Sequence, residues 1–203
     1  MKNKNAEKAR GRPRSFDEGA VVRQAQLMFL QQGFEAASYD GIAATLGLSK
    51  PSLYNAFGDK TAFFERAVAD YAEGARAQII ADFGGAANLV EAGRKLLLAA
   101  ADVYSSPDGP STGCLLVGTA LPSCVTHEGP RRTLSDFIDA LEASLEEAIE
   151  NNYAKDIART GKSARALALQ VSSLLFALAV RARTGLSRRK LRAVAAELAE
   201  LVR

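Results

Sequence analysis

His127 is the single histidine of this 203-residue chain, and Cys114 and Cys124 are its two thiols. A Ser-His-Asp triad or a multi-histidine metal centre therefore has almost nothing to build with. Cys124 and His127 have a metal-like spacing, but two ligands do not make a site. Cys114 is the sharper group. It follows the loop SSPDGPSTG (residues 105–113) and opens the segment GCLLVGTALPSC. A helix starting there places the thiol at its N-terminus, where the dipole lowers a thiol's pKa and favours attack on oxidants or electrophiles. The plainer expectation is a small buried hydrophobe. If Cys114 and Cys124 shared one helix, ten residues would hold them about 15 Å apart, too far for a disulfide, although Pro122 speaks against an unbroken helix. An enzyme using Cys114 would need a base, and His127 is the one histidine to supply it; no catalytic activity is expected.

Residues 38–58 carry a different chemistry. Ile42, Ala43 and Leu46 precede Gly47, and Leu48 and Leu53 follow it. A helix-turn-helix needs this order: a small residue where the helices meet, a glycine in the turn, and apolar side chains pinning the second helix to the first. The second helix then exposes Lys50, Ser52, Tyr54 and Asn55, groups that can reach base edges and phosphates from the major groove. Packing in the motif's small core is the alternative role for Tyr54.

The charge is unevenly spread. Residues 1–14 carry +5, residues 15–62 carry −2, and residues 63–203 balance to zero. A basic arm ahead of a folded segment points to a polyanion, and nothing amphipathic accompanies it to suggest a membrane. With 48% hydrophobic and 24% charged residues the chain is ordinarily globular. No apolar run in the sequence approaches the roughly 18 residues of a membrane span, and no apolar stretch follows the basic start. Cytoplasmic location is expected, with no cofactor and no membrane partner.

The elements positioning these groups all read as helices. Ser15-Phe16-Asp17-Glu18 is a capping box with Ser15 as N-cap, and the helix after it buries Val21, Val22, Ala25, Met28 and Phe29 and stops at Gly33. Short helices follow from Ser38 to Gly47 and from Ser49 to Gly58. A longer one starts at Asp59 with Phe64, Ala67, Val68, Tyr71 and Ala75 at helical spacing, and another runs from about Ala86 to Tyr104. A short apolar segment ends near Pro122, and three helices complete the chain. The fold class is all-α, divided into a flexible basic arm (1–14), a three-helix helix-turn-helix domain (15–60) and a second helical part (61–203).

The stretches GRPRSF and AQLMFLQQGFEAASYDGIAATLGLSKPSLYNAFGDKTAFFERAV resemble the N-terminal domain of the TetR family of bacterial transcriptional repressors. The F-x-x-x-G-F segment from Phe29 to Phe34, GLSKPSLYNAFGDK and the Phe63-Phe64 pair carry the likeness, which spans about residues 11–70. Gly41, inside the first motif helix, is a mild departure. The resemblance implies phosphate contacts from Ser38 and Tyr39. It implies a reading face of Lys50, Pro51, Ser52, Tyr54 and Asn55, with Lys60 beside phosphate. Arg12 and Arg14 resemble the Arg-Pro arms that lie in a narrow minor groove. It further implies a ligand-responsive repressor of double-stranded DNA, released from its operator by a small organic effector or a thiol-reactive signal. An activator, or a ligand-independent DNA-binding protein, is the alternative on the same scaffold. The GCLLVGTALPSC segment is similar to a subgroup with a Gly-Cys pair opening a mid-chain helix.

In TetR-like proteins the last two helices pair with their copies in a homodimer. Leu167, Val171, Leu174 and Leu178, and Leu191, Val194, Leu198 and Leu201, have the spacing of such a seam, with ordinary core as the alternative. Two-fold symmetry then asks for a palindromic operator with half-sites about 34–36 Å apart. The effector site falls among the middle helices, with Leu97, Tyr104, Cys114, Leu116, Leu121, Phe137, Leu141 and Phe176 as candidate lining, a mostly apolar set. The basic cluster from Arg181 to Arg192 is expected to be solvated or ion-paired.

Overall fold

The computed structural model describes residues 16–105 and 111–202, and among them the chain is helical with no strand. Arg12 and Arg14, the rest of the basic arm and Ser15 lie outside the described residues. The helices are α1 (Glu18–Gln32), α2 (Tyr39–Thr45), α3 (Lys50–Phe57), α4 (Lys60–Phe83) and α5 (Leu89–Tyr104). A π-helical stretch, Leu116–Ala120, then runs directly into α6 (Leu121–Ser123). Last come α7 (Glu128–Asn152), α8 (Ala154–Thr160), α9 (Ala164–Arg183) and α10 (Arg188–Ala199). Two of these, the π-helical stretch and α8, are not legible as separate elements in the sequence. The cap of α1 is Asp17 rather than Ser15: the Gly19 N–H donates to Asp17 Oδ1 at 2.9 Å.

An aromatic cluster holds the N-terminal helices together. Phe29 lies 4.9 Å from Phe64, Phe34 lies 4.7 Å from Phe64, and Phe57 lies 4.4 Å from Phe63, centroid to centroid. Such pairs add to the stabilisation from burial alone. Phe63 and Phe64 belong to α4, so packing is continuous through residue 60 and the first turns of α4 close the core of α1–α3.

Beyond that head, α4, α5, α7 and α9 pack on one another, and α10 lies along α5. Buried polar groups are paired, as low dielectric demands. Glu142 of α7 accepts from Arg165 at 3.0 Å and from the Ser172 hydroxyl at 3.1 Å, tying α7 to α9. Asp156 accepts the Leu89 N–H at 3.1 Å at the start of α5. Asp102 receives Arg188 at 2.9 Å and also Arg192, fixing α10 on α5. Burial would push the Asp102 carboxyl up, but hydrogen bonds from the two arginines hold it below its usual value. Helix α9 is apolar and long enough to pass for a membrane span by length and composition, contrary to the sequence reading. Half of its most apolar stretch is buried against neighbouring helices, which makes it the core helix of this bundle.

Candidate DNA interface and enclosed cavity

The helix-turn-helix forms as its residues dictate. Gly47 adopts φ 66°, a left-handed conformation that glycine enters without cost. The Leu48 N–H donates back to the Ala43 carbonyl at 3.0 Å, and Ile42 and Leu53 are fully buried between the two helices. Gly41 has a use: a Cβ there would sit 2.8 Å from the Ser38 hydroxyl oxygen, which caps α2 by accepting the Gly41 N–H at 3.0 Å. The serine's own O–H stays available to a phosphate.

On α3, Lys50, Pro51, Ser52, Tyr54 and Asn55 are all exposed. Ser49 caps the helix and shares a 2.8 Å hydrogen bond with the Ser52 hydroxyl. Lys50 pairs with Asp40 at 2.8 Å, an exposed contact that holds it weakly. Tyr54 is 50% exposed, its ring meeting Tyr39 edge-on at 5.4 Å. Two side chains for which the resemblance implies phosphate contacts have partners inside the head. The half-buried Tyr39 donates its hydroxyl to the Gly58 carbonyl at 2.5 Å. Burial first, then the nearby Tyr54 and Asp59, push that phenol up to about 12. Lys60 donates to the Phe34 carbonyl at 3.0 Å and lies 4.4 Å over the Phe34 ring, so its charge closes the α1–α2 loop.

A cavity of about 300 Å³ opens between the head and the body. Of the eight candidate lining residues, Tyr104, Cys114, Phe137, Leu141 and Phe176 line it; Leu97, Leu116 and Leu121 do not. Leu97 and Leu116 are fully buried in packing elsewhere, and Leu121 is 53% exposed. Helical spacing marks a buried side but not which neighbour that side meets. The sequence reading also missed Arg23 and Gln26 of α1 and Asp70 of α4 at the cavity's edge, which only the docking of α1 on α4 brings there. Gln26 fastens that junction by donating to the Ala67 carbonyl at 3.0 Å and to Asp70 at 2.9 Å.

Cys114 stands just before the helix that opens at Leu115, as its sequence position suggests, but its chemistry is the reverse of the dipole expectation. Burial pushes the thiol up, and the N–H groups of Val117 and Leu116 and the hydroxyls of Tyr71 and Tyr104 lower it by less. Cys124 stays separate, donating its thiol to the Ala120 carbonyl at 3.0 Å; both cysteines are free. His127 packs on Phe34 at 4.8 Å and shares a 2.8 Å hydrogen bond with Thr126. It is not among the groups that touch the Cys114 sulfur, and no cluster of three metal-type ligands occurs among the described residues.

Body and head meet again at Arg183. This α9 residue donates to the Leu30 carbonyl of α1 at 2.8 Å and to the Thr112 carbonyl, beside Cys114, at 3.2 Å. Arg188 and Arg192 are the ion-paired members of the basic cluster. Of the expected seam on α9 and α10, Leu167, Val171, Leu178 and Leu191 are buried within this chain, where they cannot meet a copy, while Leu174, Val194 and Leu198 are half-buried and Leu201 is exposed. The outward apolar face of α9 instead runs through Ala166, Leu169, Ser173, Ala177 and Val180, with Leu169 and Val180 exposed. Gln170 donates to the Leu201 carbonyl at 2.5 Å, which sets this face beside the end of α10.

Residues 22–67 match the family model of bacterial regulatory proteins of the tetR family. Over its whole length the chain is 29% identical to the HTH-type transcriptional repressor BdcR of Escherichia coli (strain K12), of which it covers 98%. Among solved structures it is similar to the TetR family transcriptional regulator CifR, a cysteine mutant complexed with 26-bp double-strand operator DNA. That likeness has a TM-score of 0.74 at 27% identity and covers 93% of this chain and 98% of that one. The reduced form of E. coli NemR shares the fold, with a TM-score of 0.70 at 18% identity over 89% of this chain and 94% of that one. The helix-turn-helix geometry and these likenesses agree: residues 22–67 form a DNA-binding domain of the tetR family, and the chain along its length is similar to TetR-family transcriptional regulators.

Proposed function

We propose that the chain is a ligand-responsive repressor that binds a palindromic operator as a homodimer in the cytoplasm and is released by a small organic effector. The observation that carries this reading is the composition of the cavity wall: α1 of the DNA-binding head contributes Arg23 and Gln26 to a chamber otherwise built from body helices. A ligand seated there touches both parts at once. Its differential affinity for two head orientations is what a population shift requires. Arg183 and the Gln26–Asp70 contact are the links through which the shift would pass. The buried, proton-holding thiol favours a reversibly bound effector over a thiol-reactive signal.

In this reading Lys50, Ser52, Tyr54 and Asn55 meet the major groove, Ser38 meets phosphate and Pro51 fills the helix's first turn; Arg12 and Arg14 would reach the minor groove. Lys60 and Tyr39 hold the head in shape. The outward face of α9, with Val194, Leu198 and Leu201, meets its copy in the dimer. Supporting this are the spacing of that face and its two exposed branched side chains, which lack an internal partner helix.

Selection of bound sites from a random DNA pool at fixed salt tests the reading. An enriched palindrome is expected. Asn55→Ala should relax its sequence, and Lys50→Ala should lower the salt slope by about one if that lysine neutralises a phosphate. Binding without enrichment, fading only with salt, would refute a sequence-specific regulator. Release of the selected operator by no compound that binds the cavity would favour the ligand-independent alternative.

A further inference from the structure

Away from its mouth the cavity is a carbon surface, formed by Leu96, Ala100, Phe137, Leu141 and Phe176 among others. Three polar side chains interrupt it: Tyr71, Tyr104 and Cys114. The charged lining groups belong to the edge. Arg23 and Asp70 are exposed, Asp70 already accepts from Gln26 at 2.9 Å, and Asp82 accepts from Gln78 at 3.1 Å. Among the described residues the interior thus offers no counter-charge to an ionic ligand, and burying an unpaired charge is strongly unfavourable.

The polar trio is mismatched in strength. Tyr71 donates its hydroxyl to the Cys114 sulfur at 3.7 Å, and the buried Tyr104 lines the same chamber. Phenols are good donors and thiol sulfur is a weak acceptor. A strong donor is therefore held by a weak acceptor inside an apolar chamber, where a better acceptor gains more than it would in water. A volume of about 300 Å³ is at the small end for ligand sites and suits a molecule of one or two rings.

We propose that this cavity selects a small, uncharged, ring-bearing lipophile carrying a carbonyl-type oxygen, and that this oxygen takes the Tyr71 hydroxyl from the Cys114 sulfur. The assignment names the ligand class of the effector site and rests on that reading. No bond to sulfur forms or breaks: Cys114 is the acceptor that the ligand displaces. Two residues before it, the Thr112 carbonyl accepts from Arg183, which also donates to Leu30 of α1.

The test uses the full chain and three matched probes: acetophenone, α-methylstyrene (a CH₂ group in place of the oxygen) and benzoate. Affinities are measured by calorimetry or ligand-observed NMR. Acetophenone is expected to bind roughly five- to tenfold more tightly than α-methylstyrene, the worth of one hydrogen bond in a dry site. Tyr71→Phe should remove that preference while leaving α-methylstyrene unchanged, and Cys114→Ser, which gives Tyr71 a stronger resident acceptor, should weaken it. Should Tyr71→Phe fail to fold, the three-probe comparison in the unaltered chain still decides. Equal affinities for ketone and hydrocarbon, tighter binding of benzoate, absence of binding by all three, or a preference that survives Tyr71→Phe overturns the proposal. Operator binding is read separately. A ketone that binds with the expected preference but leaves operator affinity unchanged supports the ligand class and counts against the effector reading.

Discussion

Gly113, the residue before the cavity thiol, is placed where two independent costs would fall on any side chain. Its φ is +77°, which alanine adopts at a penalty of about 1–2 kcal/mol. A Cβ there would also lie 3.0 Å from the Ala179 carbonyl oxygen and 3.4 Å from the Arg183 backbone nitrogen. Both are backbone atoms in the middle and end of α9, a helix that cannot yield without moving its neighbours, so overpacking adds about 1–3 kcal/mol. The unfolded chain returns about 0.4–1 kcal/mol, because alanine has less freedom to lose than glycine. Gly113→Ala should therefore destabilise by about 2–4 kcal/mol, which for a chain of this size lowers Tm by roughly 5–12 °C. Gly161→Ala is the matched control: its φ is +67°, and no atom lies within 4 Å of its would-be Cβ. That variant carries the conformational penalty alone and should lose about 1 kcal/mol. Thermal and urea unfolding of both variants give the two numbers side by side. If Gly113→Ala loses no more than Gly161→Ala, the close approach of the Cys114 loop to α9 is not a constraint, and the argument fails.

Arg183→Ala removes both carbonyl contacts between α9, α1 and the Cys114 loop, and amide exchange in the last turn of α1 should quicken while the core of α9 is unchanged. Unaltered exchange would show that the head is held elsewhere. Leu169→Glu with Val180→Glu should yield monomers by analytical ultracentrifugation and abolish palindrome binding, whereas a dimer that persists moves the interface off this face. Burial raises the Cys114 thiol and the Tyr71 and Tyr104 phenols above their usual values and brings Tyr39 to about 12. Acids raised in the fold stabilise it below their unfolded pKa and lose that contribution as pH climbs through the folded value. Tm should accordingly hold steady to about pH 8 and fall above about pH 9, where the unfolded thiol and phenols begin to ionise. A Tm that rises above pH 9 would contradict those burials.

Local rules alone were enough for the DNA-binding head. The Ala43–Gly47–Leu53 spacing, the caps at Ser38, Ser49 and Asp59, and the glycine stops act over a few residues, so the chain's order already contains them. The same holds for the exposed set on α3: once Leu53 and Phe57 are buried, Ser52, Tyr54 and Asn55 turn away from the core, and Lys50 is left to solvent in the first turn. Hidden in the sequence was everything that depends on which apolar stripe meets which. Leu167 and Val171 fit a dimer seam by spacing as well as a core, and the core claimed them because α7 and α5 pack on that side of α9. Charged and aromatic side chains behaved alike in this respect: Lys60 turned to the Phe34 carbonyl and Tyr39 to Gly58, partners 26 and 19 residues away. The thiol makes the point in a single atom. A position next to a helix start predicts a lowered pKa, but the walls that Tyr71 and Tyr104 build around Cys114 come from other helices, and desolvation by those walls outweighs the dipole. Sequence fixes what a segment does with its own backbone; the free energy of a side chain is set by its neighbours in space, and those are chosen only when the helices pack.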